Sequence, residues 1–238
     1  MRRYLWFVFV SIFCIPALAE AFELPKKTAS FRDWRDGDLI FHDSGRNIQT
    51  RAIALATGSP YTHTGIIKLT RKGPVVIEAV GPVIETPLEK FIARGRGKIY
   101  SVYRVKNLSG EKAQKVIAEA KKFYGRPYDI FFRMDDQRIY CSELPYKAFA
   151  AAGVPIGQPQ KFRELNINNQ YVRALFQARW QEHPECRKGI SSEQCWNIML
   201  NQEIISPGRL TEDARLKHIY SSSSSTPKHS QKLWSLKL

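Results

Sequence analysis

Two residues in this chain have the chemistry and the setting of a nucleophile and its base. Cys141 stands in Tyr140-Cys141-Ser142-Glu143-Leu144 at the start of an apolar helical pattern, and His63 stands in Tyr61-Thr62-His63-Thr64-Gly65-Ile66-Ile67, which reads as a strand. A thiol is mostly protonated near neutral pH while the thiolate is the nucleophile, so a cysteine hydrolase must lower the thiol pKa. The first turn of a helix offers partial positive charge for that purpose, and an imidazolium from His63 would add to it. A third group must orient the imidazole. Glu78, in Val75-Val76-Ile77-Glu78-Ala79-Val80, is the natural candidate, because a carboxylate in so apolar a strand is either near solvent or paired.

Each assignment has a competitor. His42 follows a strand pattern in Phe41-His42-Asp43-Ser44-Gly45, where a surface position is expected, and Glu85 is a second carboxylate in Val83-Ile84-Glu85-Thr86. Glu143, next to helix start, is suited to a cap. Asp38, Tyr128 and Tyr140 are candidates for supporting the site and binding substrate, and structural roles suit them as well. Residue types and spacing by themselves leave a catalytic and a structural reading of the Cys141, His63 and Glu78 set both open.

The elements that must carry these residues follow from periodicity. Asp36-Gly37-Asp38 reads as a turn feeding a short strand through Phe41, and the apolar spacing over residues 48–57 predicts a helix ended by Gly58 and Pro60. Strands over 63–69 and 75–80, joined by Thr70-Arg71-Lys72-Gly73-Pro74, predict a hairpin that sets His63 beside Glu78. A strand over 98–105, a charged helix over 111–124 broken by Gly125 and Pro127, and a helix from Cys141 to Ala152 follow. Beyond residue 160 the pattern is mostly helical, with apolar segments near Tyr171 to Trp180 and Trp196 to Ile205.

Export is written at the front of the chain. Arg2 and Arg3 precede an apolar run from Tyr4 to Leu18 that ends in Ala17-Leu18-Ala19, which predicts a signal peptide over residues 1–19. The run is shorter than the ~20 apolar residues that span a bilayer, so no transmembrane segment is expected after cleavage. Of 37 Lys and Arg against 22 Asp and Glu, the mature chain keeps 35 basic residues and a net charge of +13. Such a balance favours an anionic envelope surface in the periplasm or outside the cell, and the export signal argues against nucleic acid as partner. Cys186 and Cys195, nine apart in a polar loop, are suited to a local disulfide in an oxidising compartment, which leaves Cys141 as the odd thiol. With no Cys-x-x-Cys or closely spaced Cys/His set read in the chain, a zinc site is not expected. Residues 20–219 are expected to form one domain with a helical C-terminal extension, and the serine-rich, basic residues 220–238 a disordered tail.

Four short segments in order, Gly37-Asp38-Leu39-Ile40-Phe41, Thr62-His63-Thr64-Gly65-Ile66, Val76-Ile77-Glu78-Ala79 and Tyr140-Cys141-Ser142-Glu143-Leu144, resemble the circularly permuted NlpC-type papain-like cysteine hydrolases of the YiiX/YebB-like group. The later Ile205-Ser206-Pro207-Gly208-Arg209-Leu210 is similar to a segment that closes such domains. The resemblance implies an α+β fold, an antiparallel sheet packed against the cysteine helix, with Cys141 as nucleophile, His63 as base then acid, and Glu78 as orienting residue. It implies no cofactor and no metal. A cell-wall peptide amide is the expected substrate, with a lipid acyl group, as in lecithin:retinol-type acyltransferases, or a non-catalytic envelope scaffold as alternatives.

Overall fold

The computed structural model describes residues 31–45, 47–187 and 189–223, so the signal peptide expected over 1–19 and the tail beyond residue 223 lie outside the described residues. In chain order the elements are β1 (Leu39–His42), α1 (Ile48–Thr57), β2 (His63–Lys68), β3 (Val75–Ala79), β4 (Val83–Pro87), α2 (Leu88–Arg94), β5 (Tyr100–Val105), α3 (Gly110–Lys121), α4 (Glu143–Ala151), β6 (Gln160–Lys161), α5 (Gln170–Arg179), α6 (Ser192–Asn201), β7 (Glu203–Ile204), α7 (Pro207–Thr211) and β8 (Leu216–Ser221). Six strands form one antiparallel sheet in the order β4-β3-β2-β1-β5-β8, and the fold is α+β.

Alternation along β1 shows why the sheet is covered on both faces. Leu39 and Phe41 join Ile66 and Ile77 in the main core, which takes in Leu144, Ala148 and Phe149 of α4. Ile40 turns to the other face, with Ile67, Val76 and Phe91. Helix α3 buries Ala113, Val116, Ile117 and Ala120, the spacing of one helical stripe, and starts where Ser109 Oγ accepts a bond from the Lys112 N–H at 3.2 Å. Helix α1 is opened by the Asn47 side chain on the Thr50 N–H at 2.8 Å and closed by Gly58 at φ 61°, a left-handed position that glycine takes without strain.

The C-terminal extension has a core of its own. Val172 and Phe176 of α5, Trp196 of α6 and the Cys186–Cys195 disulfide pack on Ala52 and Ala56 of α1. Helix α6 begins with a reciprocal cap in which Ser191 and Gln194 each bond the other's backbone N–H. Five strands or helices were not foreseen: β4, α2, the short pair β6 and β7 in a region read as helical, and β8. The last makes Tyr220 and Ser221 part of the sheet rather than of the tail assigned to them, and it is tied on by the Ser222 N–H to the Tyr100 carbonyl at 3.0 Å. No helix of the described residues is long and apolar enough to cross a membrane.

Candidate active site

The strand pairing sets up the site before any side chain is considered. His63 lies opposite His42 at one end of the β1–β2 ladder, and Glu78 comes from β3 on the far side of β2. Gly65 between them is obligatory, because a Cβ there would stand 2.4 Å from Val76 Cγ1 and 2.9 Å from the Ile77 carbonyl oxygen. His63 Nε2 meets Glu78 Oε2 at 2.6 Å, with His63 7% exposed and Glu78 fully buried. The remaining ring nitrogen, Nδ1, is thereby left for Cys141, which hydrogen-bonds His63 and whose Sγ also lies 4.0 Å from the Thr62 carbonyl oxygen.

Cys141 occupies the turn just before α4 rather than its first helical residue, with the Leu144 N–H bonded to the Tyr140 carbonyl at 3.2 Å. Its neighbours pin that turn. The Tyr140 hydroxyl accepts a bond from the Ile205 N–H at 2.9 Å, and the Ser142 hydroxyl donates to the Ile205 carbonyl at 2.7 Å, so one residue of the closing segment clamps both flanks of the thiol. Glu143 reaches back to accept from the Tyr140 N–H at 3.1 Å. Tyr128, half-buried, sets its hydroxyl against both the thiol and the backbone N–H of Cys141.

The charges support one another. Burial alone would push the His63 imidazole down, but the hydrogen bonds and negative charge of Cys141 and Glu78 raise it to about 9. Burial opposes the Cys141 thiolate too, yet the His63 imidazolium and hydrogen bonds from Ser142 and Tyr128 bring its pKa below that of an ordinary thiol. Against the cost of burial, His63, Thr86 and Arg94 pull Glu78 down to about 2. These shifts run toward a thiolate–imidazolium pair beside an ionised carboxylate. Burial and the nearby Cys141 thiolate raise Tyr128 well above the phenol range, so it remains a hydrogen-bond donor.

Several expectations are corrected by these positions. His42 is not a surface residue: β1 extends through it, it is 2% exposed, and it stacks on Phe91 with ring centroids 4.4 Å apart, while Phe91 also faces His63 at 5.5 Å. Burial and the neighbouring His63 and Arg94 charges hold it to about 3, so it is neutral and no base for Cys141. Asp38 lies at the other end of β1, four residues from His42, a distance of about 13 Å along an extended strand. There it is buried and receives Arg104 Nε at 2.7 Å and Nη2 at 2.9 Å, a structural ion pair away from the thiol. Glu85 pairs with Lys68 at 2.6 Å instead of with either histidine. Arg94, which donates to Glu78 Oε1, was missed because nothing in its short helical context marks it.

An apolar cavity of about 110 Å³ has Cys141 and Ser142 in its lining. Ala52 and Ala56 of α1, Phe131, Val172 and Phe176 of α5 and Met199 of α6 form much of its wall, with Arg179 and Gln202 as its long polar side chains. The extension that had no assigned role is therefore one wall of the space in front of the thiol.

Residues 33–220 match the family described as permuted papain-like amidase enzyme, YaeF/YiiX, C92 family. The chain belongs to that family. Within it, a curated relative named uncharacterized protein YiiX from Escherichia coli (strain K12) is 39% identical over 173 residues, covering 72% of this chain and 78% of the relative. A crystal structure titled metalloprotein yiiX from Escherichia coli O157:H7 superposes with a TM-score of 0.68 at 38% identity, covering 78% of this chain and 96% of that one. The permuted order of the papain-like elements, histidine strand before cysteine helix, is the order of β2 and α4 here.

Proposed function

We propose that this chain is a cysteine hydrolase that cleaves a long-chain acyl group from an amide or ester. The apolar cavity that has Cys141 in its lining carries this reading, because it offers an acyl chain a mostly apolar wall and offers the polar backbone of a wall peptide few partners. An amide of a fatty acid satisfies both this cavity and the amidase description of the family.

In this mechanism the Cys141 thiolate attacks the acyl carbonyl, and the oxyanion that develops takes the place of the Tyr128 oxygen on the Cys141 N–H, with the Tyr128 hydroxyl turning to donate to it. The His63 imidazolium gives its Nδ1 proton to the departing amine or alkoxide. The thioester that remains is hydrolysed by a water whose proton His63 takes, and Glu78 on Nε2 holds the ring in the required tautomer throughout. The Cys186–Cys195 disulfide supports a place in an oxidising compartment, in keeping with the signal peptide expected from sequence.

The related crystal structure is titled a metalloprotein. Among the described residues His183, Cys186 and Cys195 form a group of metal-ligand type, but the disulfide leaves neither sulfur a thiolate to offer, and no step of the hydrolysis is routed through a metal.

The test is mass spectrometry of an envelope lipid extract and of peptidoglycan fragments, each incubated with the mature protein and with Cys141→Ala. Release of free fatty acid from the lipid extract only by the wild-type protein is the expected result. A Cys141-dependent stem-peptide fragment with the lipids untouched would replace this reading with wall-peptide cleavage.

A further inference from the structure

We propose that Arg179 is a specificity-determining residue that binds a carboxylate group of the acyl substrate, so that the compound cleaved at Cys141 is an anionic one; the inference rests on the acyl-hydrolase reading above. Arg179 ends α5 and lines the cavity that also has Cys141 in its lining. Apart from the catalytic thiol it is the one ionisable cation or anion among the described lining residues near neutral pH, the others being aliphatic, aromatic or neutral polar.

An arginine beside so apolar a wall calls for a counter-charge. A guanidinium stays protonated in any protein setting, and a charge withdrawn from water is tolerated when it is paired and its N–H groups are bonded. Arg179 is half-buried, yet its partners are neutral. Its Nη1 and Nη2 both donate to Gln49 Oε1 of α1 at 3.1 Å, and Nη1 also donates to the Ile130 carbonyl at 3.4 Å. Neither α1 nor α5 contains an aspartate or a glutamate, and no carboxylate of the described residues pairs with Arg179.

Those bonds leave one particular edge of the guanidinium open. Gln49 occupies the end between Nη1 and Nη2, and Ile130 takes the second N–H of Nη1. What remains is the side formed by the Nε–H and the second N–H of Nη2, two parallel donors that match the two oxygens of a carboxylate. Among the described residues nothing accepts from this edge. An amide or ester oxygen would serve one of its two N–H groups, whereas a carboxylate serves both and neutralises the charge. Gln49 already holds the guanidinium in place, so binding there costs little further side-chain order.

Two placements of the carboxylate share this chemistry: on the leaving group, close to the scissile bond, or at the far end of a dicarboxylic acyl chain. The test uses three esters on the mature protein, with Cys141→Ala as the blank. One is 4-carbamoylphenyl decanoate, which is neutral. The second is 4-carboxyphenyl decanoate, with the anion on the leaving group, and the third is the 4-carbamoylphenyl monoester of decanedioic acid, with the anion at the end of the chain. The wild type is expected to favour one of the two anionic esters over the neutral one by about tenfold or more in kcat/KM, chiefly through KM, as charge-assisted hydrogen bonds do. Which ester it favours places the carboxylate.

Arg179→Gln should abolish that preference, and Arg179→Lys, which keeps the charge without the two-pronged edge, should keep only part of it. The ratio between esters is the readout, because an arginine that merely tied α5 to α1 would affect all three alike. No preference in the wild type, a preference that survives Arg179→Gln, or an equal loss on all three esters would each overturn the proposal. Where circular dichroism shows that Arg179→Gln does not fold, Arg179→Lys takes its place, and an undiminished preference overturns the proposal. Cleavage of none of the three esters by the wild type would overturn the acyl-hydrolase reading itself, and this proposal with it.

Discussion

Arg94 holds the one carboxylate oxygen of Glu78 that His63 leaves free, so the orienting residue of the site is itself oriented from the end of α2. Glu78 is fully buried, and a carboxylate there is tolerable because both oxygens are bonded to cationic partners. The arrangement makes a row, Cys141 to His63 to Glu78 to Arg94, in which only the last side chain reaches solvent to any extent.

Removing that outer support should be felt at the thiol. Arg94→Ala is expected to slow the alkylation of Cys141 by iodoacetamide at pH 6 and to lower activity by roughly tenfold, the usual scale for a supporting hydrogen bond, with Arg94→Lys recovering part of the loss. Alkylation unchanged in Arg94→Ala would mean that Glu78 needs no support from α2.

The pH profile follows from the two shifts. With the thiol lowered and the imidazole raised to about 9, the reactive ion pair exists between them. The rate is expected to rise with pH as the thiol ionises on the acid side and to fall near pH 9 as His63 loses its proton. A rate that climbs steadily through pH 8.5, like that of a free thiol, would show that no pair forms.

Glu78 gives the acid side of stability. Its pKa, about 2 in the folded chain against 4.5 ordinarily, lies below the unfolded value, so its contribution is present above about pH 5 and is lost as pH falls toward 2. Acid unfolding followed by circular dichroism should be steeper in the wild type than in Glu78→Gln over that interval. Equal slopes would place the acid sensitivity elsewhere.

The cavity predicts a chain-length effect. Ala56, on its wall, is buried at 8% exposure, and Ala56→Leu would take up space where an acyl chain lies. Hydrolysis of a long-chain substrate is expected to drop by roughly tenfold or more while a short-chain ester is cleaved almost as before. A uniform loss for both lengths would indicate a folding defect, and no loss would mean that the chain does not enter there.

Tyr140 and the closing segment can be separated from catalysis by one atom. Tyr140→Phe leaves the buried Ile205 N–H without its acceptor and should cost about 1–3 kcal/mol in chemical denaturation. A variant as stable as the wild type would show that water replaces the hydroxyl.

Local pattern alone determined much of this protein. The β-branched apolar run of Val75 to Ala79 and the turn before it determined the hairpin that puts Glu78 near His63, and the apolar stripe of residues 113–120 determined α3, because β propensity and helix period are properties of neighbouring residues. The count of cysteines separated Cys141 from the pair that bonds.

Tertiary structure alone decided what came from distant elements. His42 is buried because Phe91, 49 residues later, covers it, and Asp38 is drawn into an ion pair by Arg104, 66 residues away. Arg94 acquires its role only when α2 folds back on β3. The apolar residues of α1, α5 and α6 announce in the sequence that they will be buried, but hydrophobicity is non-directional. Whether their faces close on one another or stand apart around a cavity depends on where three helices from different parts of the chain come to rest.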